Sequence, residues 1–243
     1  MPTLDDLVLG DLVPAIEDVA NRTGAPVTLI GYCMGGNLAL AAALECREAI
    51  AQFAALATPW DFSAVEPRHR AAVQHMLATT EPVSRVTGTL SFDALQLLFS
   101  QIDPDQVQKK FARFSGLSAG SFAEQLFVAM EDWVNGGADL PADLARGCLT
   151  EWYLENRPQR GEWQVNGQPV LPQDLHCRSA VFVPSKDKIV PPTSALALGT
   201  SLPNANIFLP RAGHVGMMAG SAAKSKLWEP LVRWLTYKTE GVD

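Results

Sequence analysis

The sequence predicts an α/β fold, a parallel sheet layered with helices and interrupted by a long, mostly helical insertion. Short apolar runs, "PVTLIGY", "AQFAALAT", "SAVFVPS" and "ANIFLP", alternate with helical stretches, the pattern of a parallel sheet. Between about Trp60 and Leu175 no such run occurs, and amphipathic helical patterns take over. The 243 residues, 47% of them hydrophobic, are enough to bury a full core.

Residues 3–23 read as a helix broken near Gly10 and Pro14, with Thr3 and Asp6 as a capping box. Ile16, Val19 and Ala20 form its stripe and Gly24 its stop. "PVTLIGY" has no polar alternation and reads as a parallel strand covered on both faces. "GNLALAAALEC" is an Ala/Leu helix, and "AQFAALAT" is a second buried strand ended by Thr58-Pro59. In the insertion, helices are expected near 68–78, 91–114 and 141–155. A better-signalled one begins at Ser121, capped with Glu124 and ended by Asn135-Gly136-Gly137, with Phe122, Leu126, Met130 and Trp133 on one face. "EWQVNGQPV" reads as a hairpin on an Asn-Gly turn. The alternation then resumes with "SAVFVPS", a helix over 192–200, "ANIFLP" and a final helix over 221–237. The expected domains are a discontinuous core, 1–60 with 176–243, and a cap, 61–175.

A net charge of −7 and a pI near 5.1, with no basic stripe, argue against nucleic-acid binding. An anionic ligand would need local cations, for which Arg157, Arg160, Lys186, Lys188 and Arg211 are candidates; taken singly, each reads as ordinary solvated charge. No apolar run approaches the ~18 residues of a membrane span. The first ten residues lack the features of a secretion signal. Cys33, Cys46, Cys148 and Cys177 show neither metal-ligand nor disulfide-framework spacing, so reduced thiols in a cytoplasm are expected, and no metal site is read.

The chemistry concentrates in "LIGYCMGGNL". Gly31-Tyr32-Cys33-Met34-Gly35 fits the Gly-x-nucleophile-x-Gly elbow between a strand and a helix. A nucleophile on so tight a turn is strained, and side chains two positions either side are expected to collide with their surroundings. Chance yields Gly-x-Cys-x-Gly roughly 0.02 times in a chain of this composition. The other three cysteines read as small buried hydrophobes.

A nucleophile needs a base and the base an orienting acid. His69 and His75 lie in helical pattern and His176 abuts a strand. His214 sits in a Gly-flanked loop, "RAGHVGMMAG", after the last strand. Asp187, in "FVPSKDKIVPP", follows the preceding strand. Asp61 competes as the acid, although a helix N-cap suits it better. The order Cys33, Asp187, His214 is nucleophile, acid, base, and the backbone N–H of Met34 is the candidate oxyanion donor.

Taken with "ATPWDF", "AMEDWVNGG", "WYLENRPQRGEW", "KDKIVPP" and "GHVGMMAG", the elbow "GYCMGG" resembles the polyhydroxyalkanoate synthases, a branch of the α/β-hydrolase superfamily. The likeness runs from the first helix to Trp234. It implies an α/β-hydrolase-like sheet and maps that family's catalytic Cys, Asp and His onto Cys33, Asp187 and His214. The implied activity is polymerisation of (R)-3-hydroxyacyl-CoA through a cysteine thioester, with coenzyme A released. The thioester is substrate, not cofactor, and the partners are that substrate and the growing polyester. The cap would exclude water. A homodimer and attachment to polyester granules are compatible with the resemblance.

Two other readings compete. A dienelactone-hydrolase-like or thioesterase-type hydrolase shares the elbow, but there the acid follows the nucleophile without an intervening insertion of this size. A truncated, non-catalytic paralogue is the second, and the intact Cys, Asp and His count against it. Only 26 residues precede Val27. The sequence therefore reads as lacking the N-terminal part of such a fold, which would leave residues 27–32 as an edge strand prone to pair with another chain.

Overall fold

The computed structural model describes residues 2–101 and 104–237. A π-helical stretch, Asp6–Leu12, runs into α1 (Val13–Thr23), followed by β1 (Val27–Tyr32), α2 (Met34–Glu45) and β2 (Ile50–Leu56). Next come α3 (Pro67–Thr87), β3 (Thr89–Leu90), α4 (Phe92–Ser100), α5 (Pro104–Phe114), α6 (Phe122–Asn135), β4 (Leu140–Pro141) and α7 (Ala142–Arg146), the last extended by a π-helical Gly147–Leu154. The remainder is α8 (Arg157–Arg160), β5 (Gln164–Val165), β6 (Gln168–Pro169), β7 (Arg178–Phe182), α9 (Pro192–Ser201), β8 (Asn206–Phe208), α10 (His214–Ala219) and α11 (Glu229–Thr236).

The chain divides into a sheet unit, Leu4–Val65 with Glu155–Asp243, and a helical unit of Glu66–Leu154 with the first three residues. In the sheet unit four parallel strands lie in the order β1-β2-β7-β8. The four are the apolar runs of the sequence, and β1 is an edge. Its faces are not both covered, however: Thr28 and Ile30 are exposed, and Val27 and Leu29 are only half-buried. An unbroken apolar run suits an edge strand as well as a central one, and periodicity alone does not separate them. Ala54, Leu56, Ala180, Phe182, Met217, Leu227, Leu231 and Trp234 form the core over one part of the sheet. Phe182 and Phe208 stack there, centroids 4.4 Å apart.

α2 is buried from Gly36 to Ala43, which is why it carries no polar face. The first helix does not break at Gly10 and Pro14. The backbone widens to π pairing over Asp6–Leu12 and passes Pro14, which has no N–H to give, in the first turn of α1. Gly24 ends α1 at φ 69°.

Residues 155–175, placed in the cap by the sequence reading of 61–175, are held by the sheet unit. Arg47 donates to the Asp174 carbonyl at 2.8 Å, and Asn166 donates from its backbone to Asp5 and from its side chain to Glu45. Trp163 packs against Trp60, centroids 6.3 Å apart. The hairpin is as read: Asn166 and Gly167, at φ 54° and 70°, turn β5 into β6.

In the helical unit, Val73, Met76, Leu90, Leu98, Ala145 and Leu149 make the core. The single helix expected over 91–114 is two, α4 and α5; residues 102–103 of that span lie outside the described residues. Ser121 caps α6, its Oγ accepting from Glu124 N at 3.2 Å, while the Glu124 carboxylate accepts from Gly120 N. The expected stripe on α6 is split. Phe122 and Trp133 are exposed, whereas Leu126 and Met130 are half-buried beside Phe127 and Val134. The inward register is set by Phe127, whose ring stacks on Phe114 at 4.4 Å and meets Phe111 edge-on. Among the described residues no helix is long and apolar enough to cross a membrane.

Candidate active site

The elbow is a turn between the end of β1 and the start of α2. Cys33 sits there at φ 54° and ψ −130°, a conformation that non-glycine residues rarely adopt. Two hydrogen bonds hold it. Its N–H donates to the Leu56 carbonyl on β2 at 2.8 Å, and its own carbonyl accepts from Gly36 N at 2.9 Å. Of the flanking glycines, Gly31 is required as expected, because a Cβ there would lie 2.4 Å from Gly36 Cα. Gly35 is not, since a Cβ at that position meets nothing within 4 Å. The constraint falls one residue later: a Cβ on Gly36 would lie 1.9 Å from Thr58 Oγ1. The motif as read thus has the wrong second glycine, and the doubled Gly35-Gly36 was the available signal.

A direct check follows from that geometry. Gly36→Ala is expected to lose about 1–3 kcal/mol of folding stability through overpacking against Thr58. Gly35→Ala should fall within about 1 kcal/mol of the parent, with a gain in helix propensity as the favourable term. Paired urea melts measure both; equal losses in the two variants would contradict the assignment.

His214 does not sit in an open loop. It is the first residue of the six-residue α10, with Gly213 as N-cap. Its Nδ1–H donates to Asp187 Oδ2 at 2.7 Å. The other oxygen, Asp187 Oδ1, accepts from the backbone N–H groups of Ile189 and Val190, both at 2.9 Å. The loops carrying the two residues are tied together, Ser185 N donating to the Pro210 carbonyl and Lys186 N to the Ala212 carbonyl. The Asp187 side chain is fully buried and that of His214 is 9% exposed. Burial opposes the imidazolium, but the hydrogen bond to Asp187 and the influence of Cys33 outweigh it, and the pKa is raised from 6.5 to about 9. His214 and Asp187 are therefore brought together as a buried, hydrogen-bonded pair, and Cys33 stands on the elbow as one of the groups that bear on the imidazole. Met34 follows Cys33 as the first residue of α2, where backbone N–H groups and the positive end of the helix face outward.

The other sequence candidates have separate surroundings. Asp61 caps the short turn Phe62–Ala64: its Oδ1 accepts from Ser63 N at 2.9 Å, Ser63 Oγ at 2.6 Å and Asn156 Nδ2 at 2.9 Å. Cys46 and Cys148 are buried. Burial pushes the Cys148 thiol up to about 12 and raises those of Cys46 and Cys177 as well. His75 and His176 are exposed, and His69 belongs to α3. Arg157 pairs with Glu155 at 2.6 Å and Arg160 with Glu162 at 2.7 Å. Lys186 and Lys188 are exposed on either side of Asp187, and Arg211 is exposed three residues before His214. Sequence reasoning did not single out Tyr32, whose ring lies 4.9 Å from the His214 imidazole between centroids, inclined by 32°.

A cysteine at a strand-to-helix elbow, followed along the chain by an aspartate and a histidine that bond to each other, defines a class. The chain belongs to the α/β-hydrolase family, whose model matches residues 2–224. In sequence it is similar to poly(3-hydroxyalkanoate) polymerase subunits. It is 24% identical over 99% of its length to the poly(3-hydroxyalkanoate) polymerase subunit PhaC of Haloferax mediterranei, and 24% identical over 96% to that of Synechocystis. The PhaC of Allochromatium vinosum is 23% identical over 96% of the chain. The resemblance to polyhydroxyalkanoate synthases read from the motifs therefore extends along the whole sequence. The chain spans 50% of the Haloferax relative and 64% of the Synechocystis one. In fold it is similar to a monoacylglycerol lipase from Paleococcus ferrophilus (TM-score 0.57, 16% identity, 96% of this chain and 75% of that one). A thermophilic esterase from Thermogutta terrifontis is also similar (TM-score 0.53, 18% identity, 97% and 72%).

Proposed function

We propose that this chain is an acyltransferase acting on 3-hydroxyacyl-CoA, with Cys33 as nucleophile, His214 as base and Asp187 as the group that orients it. The observation that carries the reading is Cys33 on a strained elbow together with the buried His214–Asp187 pair, in a chain similar to PhaC subunits. In the first half-reaction the Cys33 sulfur, having given its proton to His214, attacks the thioester carbonyl. The C–S bond to coenzyme A breaks, the acyl group stays on Cys33, and the departing thiolate takes the proton from His214. Thioester is exchanged for thioester, so the acyl group remains activated. In the second half-reaction the 3-hydroxyl of another hydroxyacyl unit gives its proton to His214 and attacks that carbonyl. An ester bond forms and Cys33 leaves as thiolate. Met34 N–H is the oxyanion donor in both steps. Lys186, Lys188 and Arg211 supply positive charge on the two loops to which an anionic carrier would come. A homodimer and attachment to the insoluble product belong to the same proposal.

The test is incubation of the full chain with 3-hydroxybutyryl-CoA, followed by intact-mass and peptide mapping together with assay of released coenzyme A. The expected result is one acyl group on Cys33 and products longer than one unit. Free 3-hydroxybutyrate as the sole product would make the chain a hydrolase, and acyl label on Cys148 with none on Cys33 would overturn the nucleophile.

A further inference from the structure

A single hydrogen bond to Nδ1 fixes one atom of an imidazole and leaves its plane free to swing about the bond. In this site the face of the ring is also occupied. Tyr32 lies against His214 with centroids 4.9 Å apart and planes inclined by 32°. That distance falls within the range over which aromatic rings attract one another and a cation is drawn to a ring face. Tyr32 cannot easily withdraw. It is the last residue of β1, paired in register with Leu56, and its ring packs against the core cluster that contains Leu56 and Met217. One neighbour along the chain is the nucleophile itself, so strand, cysteine and ring share one rigid backbone.

We propose that Tyr32 is a positioning residue for the base, its ring fixing the plane of the His214 imidazole and stabilising that ring when protonated. The proposal rests on the reading of Cys33, Asp187 and His214 as nucleophile, acid and base. Its specific claim is that the aromatic face acts and the hydroxyl does not. Among the described residues the Tyr32 hydroxyl has no hydrogen-bond partner. The phenol is held above its ordinary pKa by burial and by the charges of Cys33 and Asp187, so it stays neutral. With Asp187 at Nδ1 and an electron-rich ring against its face, the imidazolium is contacted by two groups that each favour it, and Cys33 favours it as well.

The experiment compares four full-length proteins: wild type, Tyr32→Phe, Tyr32→Leu, and one with pentafluorophenylalanine at position 32, a ring of the same outline with its face charge reversed. Histidine-labelled NMR gives the midpoint of His214, and iodoacetamide alkylation of Cys33 is followed over the same pH range. Wild type should titrate near pH 9, and Tyr32→Phe should match it. Tyr32→Leu should move the midpoint down, corresponding to an about three- to tenfold weaker proton affinity, and the fluorinated ring should move it at least as far. The pH profile of alkylation should follow in each case. If Tyr32→Leu does not fold, the phenylalanine and fluorinated rings alone decide, because they differ in charge and hardly in shape. Equal midpoints in all four proteins would overturn the proposal, as would a shift in Tyr32→Phe as large as that in Tyr32→Leu. Failure of the underlying reading looks different: the wild-type His214 midpoint would then be unmoved by Cys33→Ala and by Asp187→Asn.

Discussion

Cys33→Ala should abolish acyl transfer, with no acyl-enzyme by mass and coenzyme A release reduced on the order of 10⁶-fold, the usual consequence of deleting a nucleophile whose partners act as a unit. The fold should survive. The strained backbone at φ 54° is imposed by the bonds from Cys33 N to Leu56 and from Gly36 N to the Cys33 carbonyl, neither of which uses the side chain. Cys33→Ser keeps the geometry but should still lose most of the turnover, since a hydroxyl ionises less readily and its ester is a poorer acyl donor than a thioester. Coenzyme A release and circular dichroism on the same samples separate chemistry from folding. Turnover of Cys33→Ala within tenfold of wild type would remove Cys33 from the mechanism.

Asp187→Asn should cost about 10⁴-fold in acylation while leaving the loop in place. Asp187 Oδ1 accepts from two backbone N–H groups, so in the variant the amide oxygen stays on Ile189 and Val190. The amide NH₂ is then turned toward His214 Nδ1, where it donates, and the imidazole is held in the tautomer that cannot take a proton from Cys33. The same change should alter stability against pH. The His214 pKa is raised above 6.5 to about 9, so the folded state holds this proton more tightly than the unfolded one. The resulting stabilisation is complete below about pH 6.5 and is lost as pH rises through about 9. In wild type the denaturant midpoint should fall across that window, and in Asp187→Asn the fall should be smaller. Asp61→Asn is the control, with about 1 kcal/mol lost through the cap and little change in acylation. Activity lost at Asp61 and retained at Asp187 would exchange their roles.

Much of this was legible in the residues, for reasons that can be stated. The four strands announce themselves because parallel strands need apolar, β-branched runs. The elbow does so because Gly31 leaves no room for a side chain, and the Asn166-Gly167 turn because both positions need positive φ. What was illegible depends on distant partners. Whether Thr28 and Ile30 are covered is decided by neighbours in space. Which glycine after Cys33 matters is decided by Thr58, on the far side of β2 in sequence. The helix at His214 was missed because Gly213, Gly216 and Gly220 read as loop, and six residues are too few to show a period. Tyr32 was passed over for a simpler reason: the motif treats its position as unspecified.

The burial of α2 bears on how the protein responds to heat. Eight consecutive residues, Gly36 to Ala43, are buried, and Cys33, the proposed nucleophile, is bonded through its carbonyl to the first of them. Amides so placed exchange with deuterium only when the whole surrounding unit opens, whereas loops and frayed ends exchange through small local fluctuations. The amides of that segment therefore have no private route to exchange, and their protection should persist up to the cooperative melting of the sheet unit and then vanish with it, so that their exchange rates report global unfolding.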